Sequence, residues 1–219
     1  MLDTRHREGR PDAPARLRMR VVLTGLLLLV LASTAAAGPP TTDGPWGQSA
    51  LHLKVLLSAL TYERTLQRSA GDVLRIGVLF DPGNADSLLD SGAVITALEH
   101  QAGEMTFRDR ALIVSGIPLT DSVRLRKAVQ KGVDVIYLVE GIDSKDLARV
   151  LAITRDLKII SITGVETYVR QGVSLGAVVR EGHPHVIIHY DAAKAEGAEF
   201  SSQLLQLSEI VGRAGGNDD

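Results

Sequence analysis

No cysteine occurs among the 219 residues. That absence excludes a disulfide scaffold, a cysteine-ligated zinc site, an iron–sulfur cluster and a lipid anchor on cysteine. Aromatic residues make up only 4% of the chain, too few for the stacking platforms that hold bases or sugars. Neither sign of charge dominates: 24 Lys and Arg stand against 26 Asp and Glu, so nothing calls for nucleic acid as a partner. Phosphate-binding signatures are missing too. The turn after the first expected strand, Phe80-Asp-Pro-Gly-Asn-Ala85, has neither dinucleotide glycine spacing nor a Walker lysine. Around Ser115 and Ser201 there is no nucleophile elbow, and no carboxylate pair stands out, so no catalytic residue is nominated.

The apolar content is ordinary for a folded domain, and its distribution is informative. The longest apolar run is short and lies near the beginning. Six arginines (Arg5 to Arg20) precede Val21–Ala32, and Ala35-Ala-Ala37 follows, the three parts of a secretory signal peptide over residues 1–37. A core of this length is short for a membrane span, so stable insertion after cleavage is not expected, although an uncleaved anchor stays open. Met19 begins a more compact version of the same signal, and no Arg pair marks the twin-arginine route. Cleavage after Ala37 removes six arginines and three acids, leaving 18 basic against 23 acidic residues and a net charge of −5. Residues 38–47, with three prolines, read as a flexible linker, residues 48–212 as the folded domain and 213–219 as a polar tail.

Within the domain, helical and strand-like segments alternate. Helical spacing of Leu51, Val55, Leu56, Ala59, Leu60 and Leu66 predicts one helix from Gln48 to Gln67. Val73–Phe80 follows as a strand, then a helix over Ser87–Gln101, a strand at Leu112–Ile117 and a helix capped by Asp121 or Ser122 running to Gly132. Val133–Val139 and Lys158–Thr163 are further strands, separated by a helix over Ser144–Arg155. Near-continuous Val, Ile and Leu runs indicate strands covered on both faces. Ser174–Arg180 and His185–Tyr190 read as a hairpin around a four-residue turn, followed by a short helix at Asp191–Gly197 and a longer one at Ser201–Gly212. The expected fold is a three-layer α/β domain with a mostly parallel sheet and an antiparallel hairpin near its C-terminal end. Leu204, Leu205, Leu207, Ile210 and Val211 read as a core-facing stripe on the last helix.

Open α/β sheets bind ligands beyond the carboxyl ends of their strands. Asp81, Asn84, Glu140 and Thr163 would share that rim and could line a small polar crevice, although turn chemistry accounts for each of them as well. His183, His185 and His189 share one face of an extended strand. At about 3.3 Å per residue the last two are about 13 Å apart, too far to share a metal, so no metal or other cofactor is assigned.

The segment Val186-Ile-Ile-His-Tyr-Asp-Ala-Ala-Lys-Ala-Glu-Gly197, followed by Ser201-Ser-Gln-Leu-Leu-Gln-Leu207, resembles the closing pattern of the YfiR family of exported proteins. The likeness extends to Leu53-Lys-Val-Leu-Leu57, Leu74–Leu79 and Gly132–Leu138, and so spans Leu51–Val211. The chain departs from the pattern where Tyr62-Glu-Arg-Thr-Leu replaces an aromatic–Trp-Pro ending, and where His189 replaces an Asn. The resemblance implies a periplasmic α/β domain without known catalysis, whose best-understood relative restrains a membrane diguanylate cyclase by binding its periplasmic region. Two readings follow. One is a regulatory module that binds a membrane signalling protein, with exposed candidates His52, Tyr62, Arg64 and Leu66 on the first helix, placed at the edge of the domain. The other is a solute-binding protein or sensor that uses the strand-end crevice. A homodimer is compatible with either.

Overall fold

A computed structural model of the protein describes residues 45–69, 71–104 and 110–213. The proposed signal peptide and most of the linker lie outside the described residues, as does nearly all of the polar tail. Among the described residues eight helices and seven strands follow one another as α1 (Pro45–Leu60), α2 (Arg64–Ser69), β1 (Val73–Phe80), α3 (Ala85–Glu104), β2 (Ala111–Pro118), α4 (Ser122–Gln130), β3 (Val135–Leu138), α5 (Ser144–Leu157), β4 (Ile160–Thr163), α6 (Glu166–Arg170), β5 (Leu175–Arg180), β6 (His183–His189), α7 (Tyr190–Ala195), α8 (Ser202–Leu207) and β7 (Glu209–Val211). The strands form one sheet in the order β2-β1-β3-β4-β5-β6-β7, parallel throughout except for the antiparallel β5–β6 pair.

Alternation along the strands sends side chains to both faces of the sheet. Leu74, Ile76, Val78, Val135, Tyr137, Ile160 and Ile162 pack with Leu53, Leu56 and Leu60 of α1 and Val94 and Leu98 of α3. Leu79, Ile136 and Leu138 point the other way, against Leu125 of α4, Leu147 and Leu151 of α5 and Tyr168 of α6. β3 and β4 are buried along their whole length, as continuous apolar runs require. β2 at the sheet margin is largely exposed, and Ile113 is half accessible.

Several expected elements differ. The first helix begins at Pro45, within the segment read as linker; proline suits a first turn because its missing N–H has no intrahelical partner there. It then breaks at Thr61–Glu63, where successive N–H groups turn back to the carbonyls of Ser58, Ala59 and Leu60. Glu63 recaps the chain: its buried carboxyl accepts from the N–H of Thr65 at 2.9 Å and from that of Leu66, starting α2. The hairpin turn has two residues, Glu181 and Gly182, both at positive φ as a type I′ turn requires, rather than four. The expected long last helix stops at Ser208, and Glu209–Val211 instead adds a parallel strand to β6. The predicted stripe therefore divides: Leu204 is buried, Leu205 half-buried, Leu207 largely exposed, and Ile210 and Val211 belong to the sheet. α6 has no counterpart in the sequence reading.

Candidate functional site

The four residues expected at the carboxyl rim lie there, and the side chains of Asp81, Asn84 and Thr163 are engaged by the surrounding turns and strands. Asp81 Oδ1 accepts from the N–H of Gly83 at 2.8 Å. Asn84 caps α3 through Oδ1 and donates from Nδ2 to the Gly141 carbonyl at 3.0 Å. Thr163 donates to the Leu138 carbonyl at 2.8 Å and accepts from the N–H of Val165 at 3.0 Å. Glu140 has an exposed side chain, and its N–H donates to Asp90 Oδ2 at 3.1 Å. Beneath this rim the Tyr168 hydroxyl donates to the Ile142 carbonyl at 2.7 Å and accepts from the Ile142 N–H at 2.8 Å. Burial raises its pKa.

A cavity of about 340 Å³ lies at the other end of the sheet. Because β6 runs antiparallel to β5, its last residues lie beside the beginning of β5, and α7 starts there. Phe200 joins Glu63 through an isolated antiparallel bridge, and the backbone of Tyr62 and Arg64 pairs with that of Ser201 and Glu199. The Glu63 carboxyl adds a bond from the N–H of Glu199 at 2.7 Å. These links bring Arg64 beside Tyr190, Lys194, Glu199, Phe200 and Leu205 around one opening. Glu199 pairs with Arg68, whereas Arg64 and Lys194 form no ion pair with any described residue. The site thus offers two exposed cations over an apolar and aromatic wall.

Of the residues expected on the first helix, Tyr62 and Arg64 are exposed beside this opening. His52 and Leu66 are corrections. His52 is half-buried, its Nε2 lying 2.9 Å from the hydroxyl of buried Tyr137, and Leu66 belongs to the core. α1 lies across β5 and β6 rather than at the edge of the domain, because Leu53, Leu56, Leu57 and Leu60 all face the sheet.

Sequence reasoning missed the role of the Ala192–Gly197 segment. His189 caps α7, its Nδ1 accepting from the N–H of Ala192 at 3.2 Å, and burial lowers its pKa, in keeping with an acceptor ring nitrogen. Gly197, at φ 78°, closes the same helix, with the N–H of Ala198 reaching the Ala193 carbonyl at 2.8 Å, a Schellman motif. Between these caps Glu196 turns inward, 1% exposed. Its carboxyl lies 2.5 Å from Thr154 Oγ1, 2.8 Å from the N–H and Oγ of Ser161, and against Ser174 Oγ. Burial pushes its pKa up, against the opposing pull of these hydrogen bonds. Glu196 and Gly197 also border a second cavity of about 160 Å³ with Thr65, Asp134 and Lys158. His183 and His185 are exposed on β6, and among the described residues no group of three or more His, Asp or Glu could hold a metal ion.

Residues 56–209 match the model of the YfiR/HmsC-like family. The chain belongs to that family. The matched span contains both caps of α7, Glu196, and Arg64 and Lys194 at the cavity. No curated protein matches the sequence. Among solved structures, an ABC domain in complex with L-Trp from Streptococcus pneumonia is similar at a TM-score of 0.53 and 12% identity, covering 75% of this chain and 60% of that one. A conserved domain protein from Vibrio cholerae reaches 0.51 and 15%, covering 74% and 59%. The chain thus spans about 60% of the length of these neighbours, and the likeness is one of fold. Among the described residues no helix is long and apolar enough to cross a membrane.

Proposed function

We propose that this YfiR/HmsC-like protein is a non-catalytic periplasmic module that restrains a membrane-bound signalling protein, of the diguanylate cyclase class, by docking on it through the cavity at the amino ends of the parallel strands. One observation carries the reading. Arg64 and Lys194 have no ionic partner among the described residues and stand over a wall of Tyr190, Phe200 and Leu205, all within the span matched to the family. Protein interfaces concentrate their energy in a few side chains that enter such apolar pockets, while complementary charge at the rim sets orientation and partner choice. A partner segment presenting an apolar side chain next to an acidic one would satisfy both features. A solute at the carboxyl rim would instead compete with the turns that already engage Asp81, Asn84 and Thr163.

Deletion of the gene followed by complementation tests this reading. Loss of the protein should raise cyclic-di-GMP, and the wild-type gene should restore the lower level. Arg64→Ala combined with Lys194→Ala should fold normally yet restore little, whereas Asp81→Ala should restore fully. Full rescue by the double variant would remove the cavity from the interaction.

A further inference from the structure

The hydroxyl groups around Glu196 can take a proton as well as give one. Thr154 Oγ1 lies 3.0 Å from the Leu151 carbonyl, which can only accept, and 2.5 Å from Glu196. A hydroxyl carries one proton. Given to Leu151, that proton leaves the Thr154 oxygen a lone pair facing Glu196, a place that a protonated carboxyl fills by donating. Ser161 Oγ accepts from the N–H of Ser174 at 3.1 Å and donates to Glu196, while Ser174 Oγ and the N–H of Ser161 supply the remaining donors. Every polar atom of a neutral Glu196 then has a partner. No cation is in contact with the carboxyl among the described residues.

We propose that Glu196 is a proton-operated latch: holding its proton, it ties α7 to α5, β4 and the start of β5, and losing it loosens the Glu196–Phe200 segment that walls the cavity. The latch stands on its own geometry; only its effect on partner docking rests on the function proposed above. The groups facing Glu196 from its neighbours are mostly not titratable: Thr154 from α5, Ser161 from β4, Ser174 ahead of β5 and Thr65 from α2. The charged residues nearby are otherwise occupied or outward. The Lys158 ammonium donates to the Ala195 carbonyl at 2.7 Å, and Asp134 accepts from the N–H of Arg75 at 2.8 Å. Glu63 is engaged by three N–H groups, and Lys194 is exposed at the cavity rim.

Burial disfavours the ionised form of Glu196 in the folded chain, whereas the unfolded chain ionises it at the ordinary carboxylate pH. Below that pH both states hold the proton and the group is neutral to stability. Above it only the unfolded state releases the proton, so stability falls until the folded carboxyl ionises too. Urea unfolding of the wild-type chain and of Glu196→Gln, from about pH 5 to about pH 9, reads this directly. Gln keeps an acceptor and a donor but cannot titrate. The folding constant of Glu196→Gln relative to wild type should rise about tenfold per pH unit above about pH 5 and then level off; a ratio constant across the range overturns the proposal. Amide exchange of Ala198 and Glu199 at about pH 8 should be faster in wild type than in the variant, and equal rates would overturn the release of the wall. Carbon NMR of the glutamate carboxyl groups in the unmodified chain does not depend on the variant folding. Glu196 should keep the neutral-carboxyl shift well above the pH at which exposed glutamates titrate, and titration alongside them would overturn the latch. If these results hold while the Arg64 and Lys194 variant still signals normally, the latch survives and the docking site does not.

Discussion

Glu63 and Glu196 are both buried carboxyl groups, and what surrounds each gives it a different task. Among the described residues Glu63 meets only N–H donors, from Thr65, Leu66 and Glu199, so it acts as an acceptor that starts α2 and holds Glu199 beside it. Removing it leaves three donors without their partner in a place water does not reach. Glu63→Ala should therefore cost roughly 2–4 kcal/mol in urea unfolding, and a loss below about 0.5 kcal/mol would show that the cap is dispensable. Glu196 meets hydroxyls, which can both give and take, and so can keep a proton. Neither role was legible in the sequence, because a buried carboxylate and a surface one look alike until the donors around them are known. His189 gave a readable sign. It stands where the family pattern that the sequence resembles has Asn, shortly before Ala-Ala-Lys, and an imidazole nitrogen can cap a helix as an amide oxygen does.

At the scale of elements, long apolar runs were the reliable signal. β1, β3, β4 and β5 were legible because strands covered on both faces need continuous Val, Ile and Leu, and α5, expected over Ser144–Arg155, as the helical segment between two such runs. The misreadings occurred where spacing fits two structures. Leu204, Leu207 and Val211 recur at helical intervals, yet Ser208 ends α8 and the β-branched pair Ile210 and Val211 joins the sheet. The five residues of α6 are too few to display a period. The corrected placement separates two leucines that the sequence treated alike. Leu204→Ala, at a buried position, should lower stability by about 2–4 kcal/mol, while Leu207→Ala, 77% exposed, should change it by less than about 0.5 kcal/mol. Equal costs in thermal or urea unfolding would mean that α8 is rotated from the orientation described. β7 is short, and charge supplements its three backbone pairings: Glu209 meets Arg180 at 2.7 Å and Arg170 at 3.0 Å, and both arginines also hold Glu166. Those arginines keep the Glu166 carboxyl below its ordinary pKa, so whatever stability it lends is present near neutrality and lost as the pH falls through that lowered value.

For the whole molecule, strand order and the antiparallel pair place the beginning of β5, the end of β6 and α7 at one end of the sheet. The sequence pointed to the opposite end, because the carboxyl rim is the usual site in open α/β sheets and its turn residues are conspicuous. What it could not display was the closure of the chain on itself, Tyr62 and Arg64 against Glu199 and Ser201, since those partners are more than a hundred residues apart. The open margins of the sheet have a further consequence. Among the described residues β2 forms one margin, and on the other β7 covers only Ile187–His189, leaving the first half of β6 bare. Each bare stretch carries a proline whose nitrogen faces outward. Leu119 donates inward to Phe80, so the nitrogen of Pro118 points away from β1; Arg180 and His183 close the two-residue turn, so that of Pro184 points away from β5. A strand from another molecule would find a hydrogen-bond donor missing at both places. Fibrous aggregation through these margins is thereby discouraged. Pro118→Val with Pro184→Val should keep the fold but form large assemblies at high protein concentration by light scattering, and an unchanged particle mass would assign that protection elsewhere.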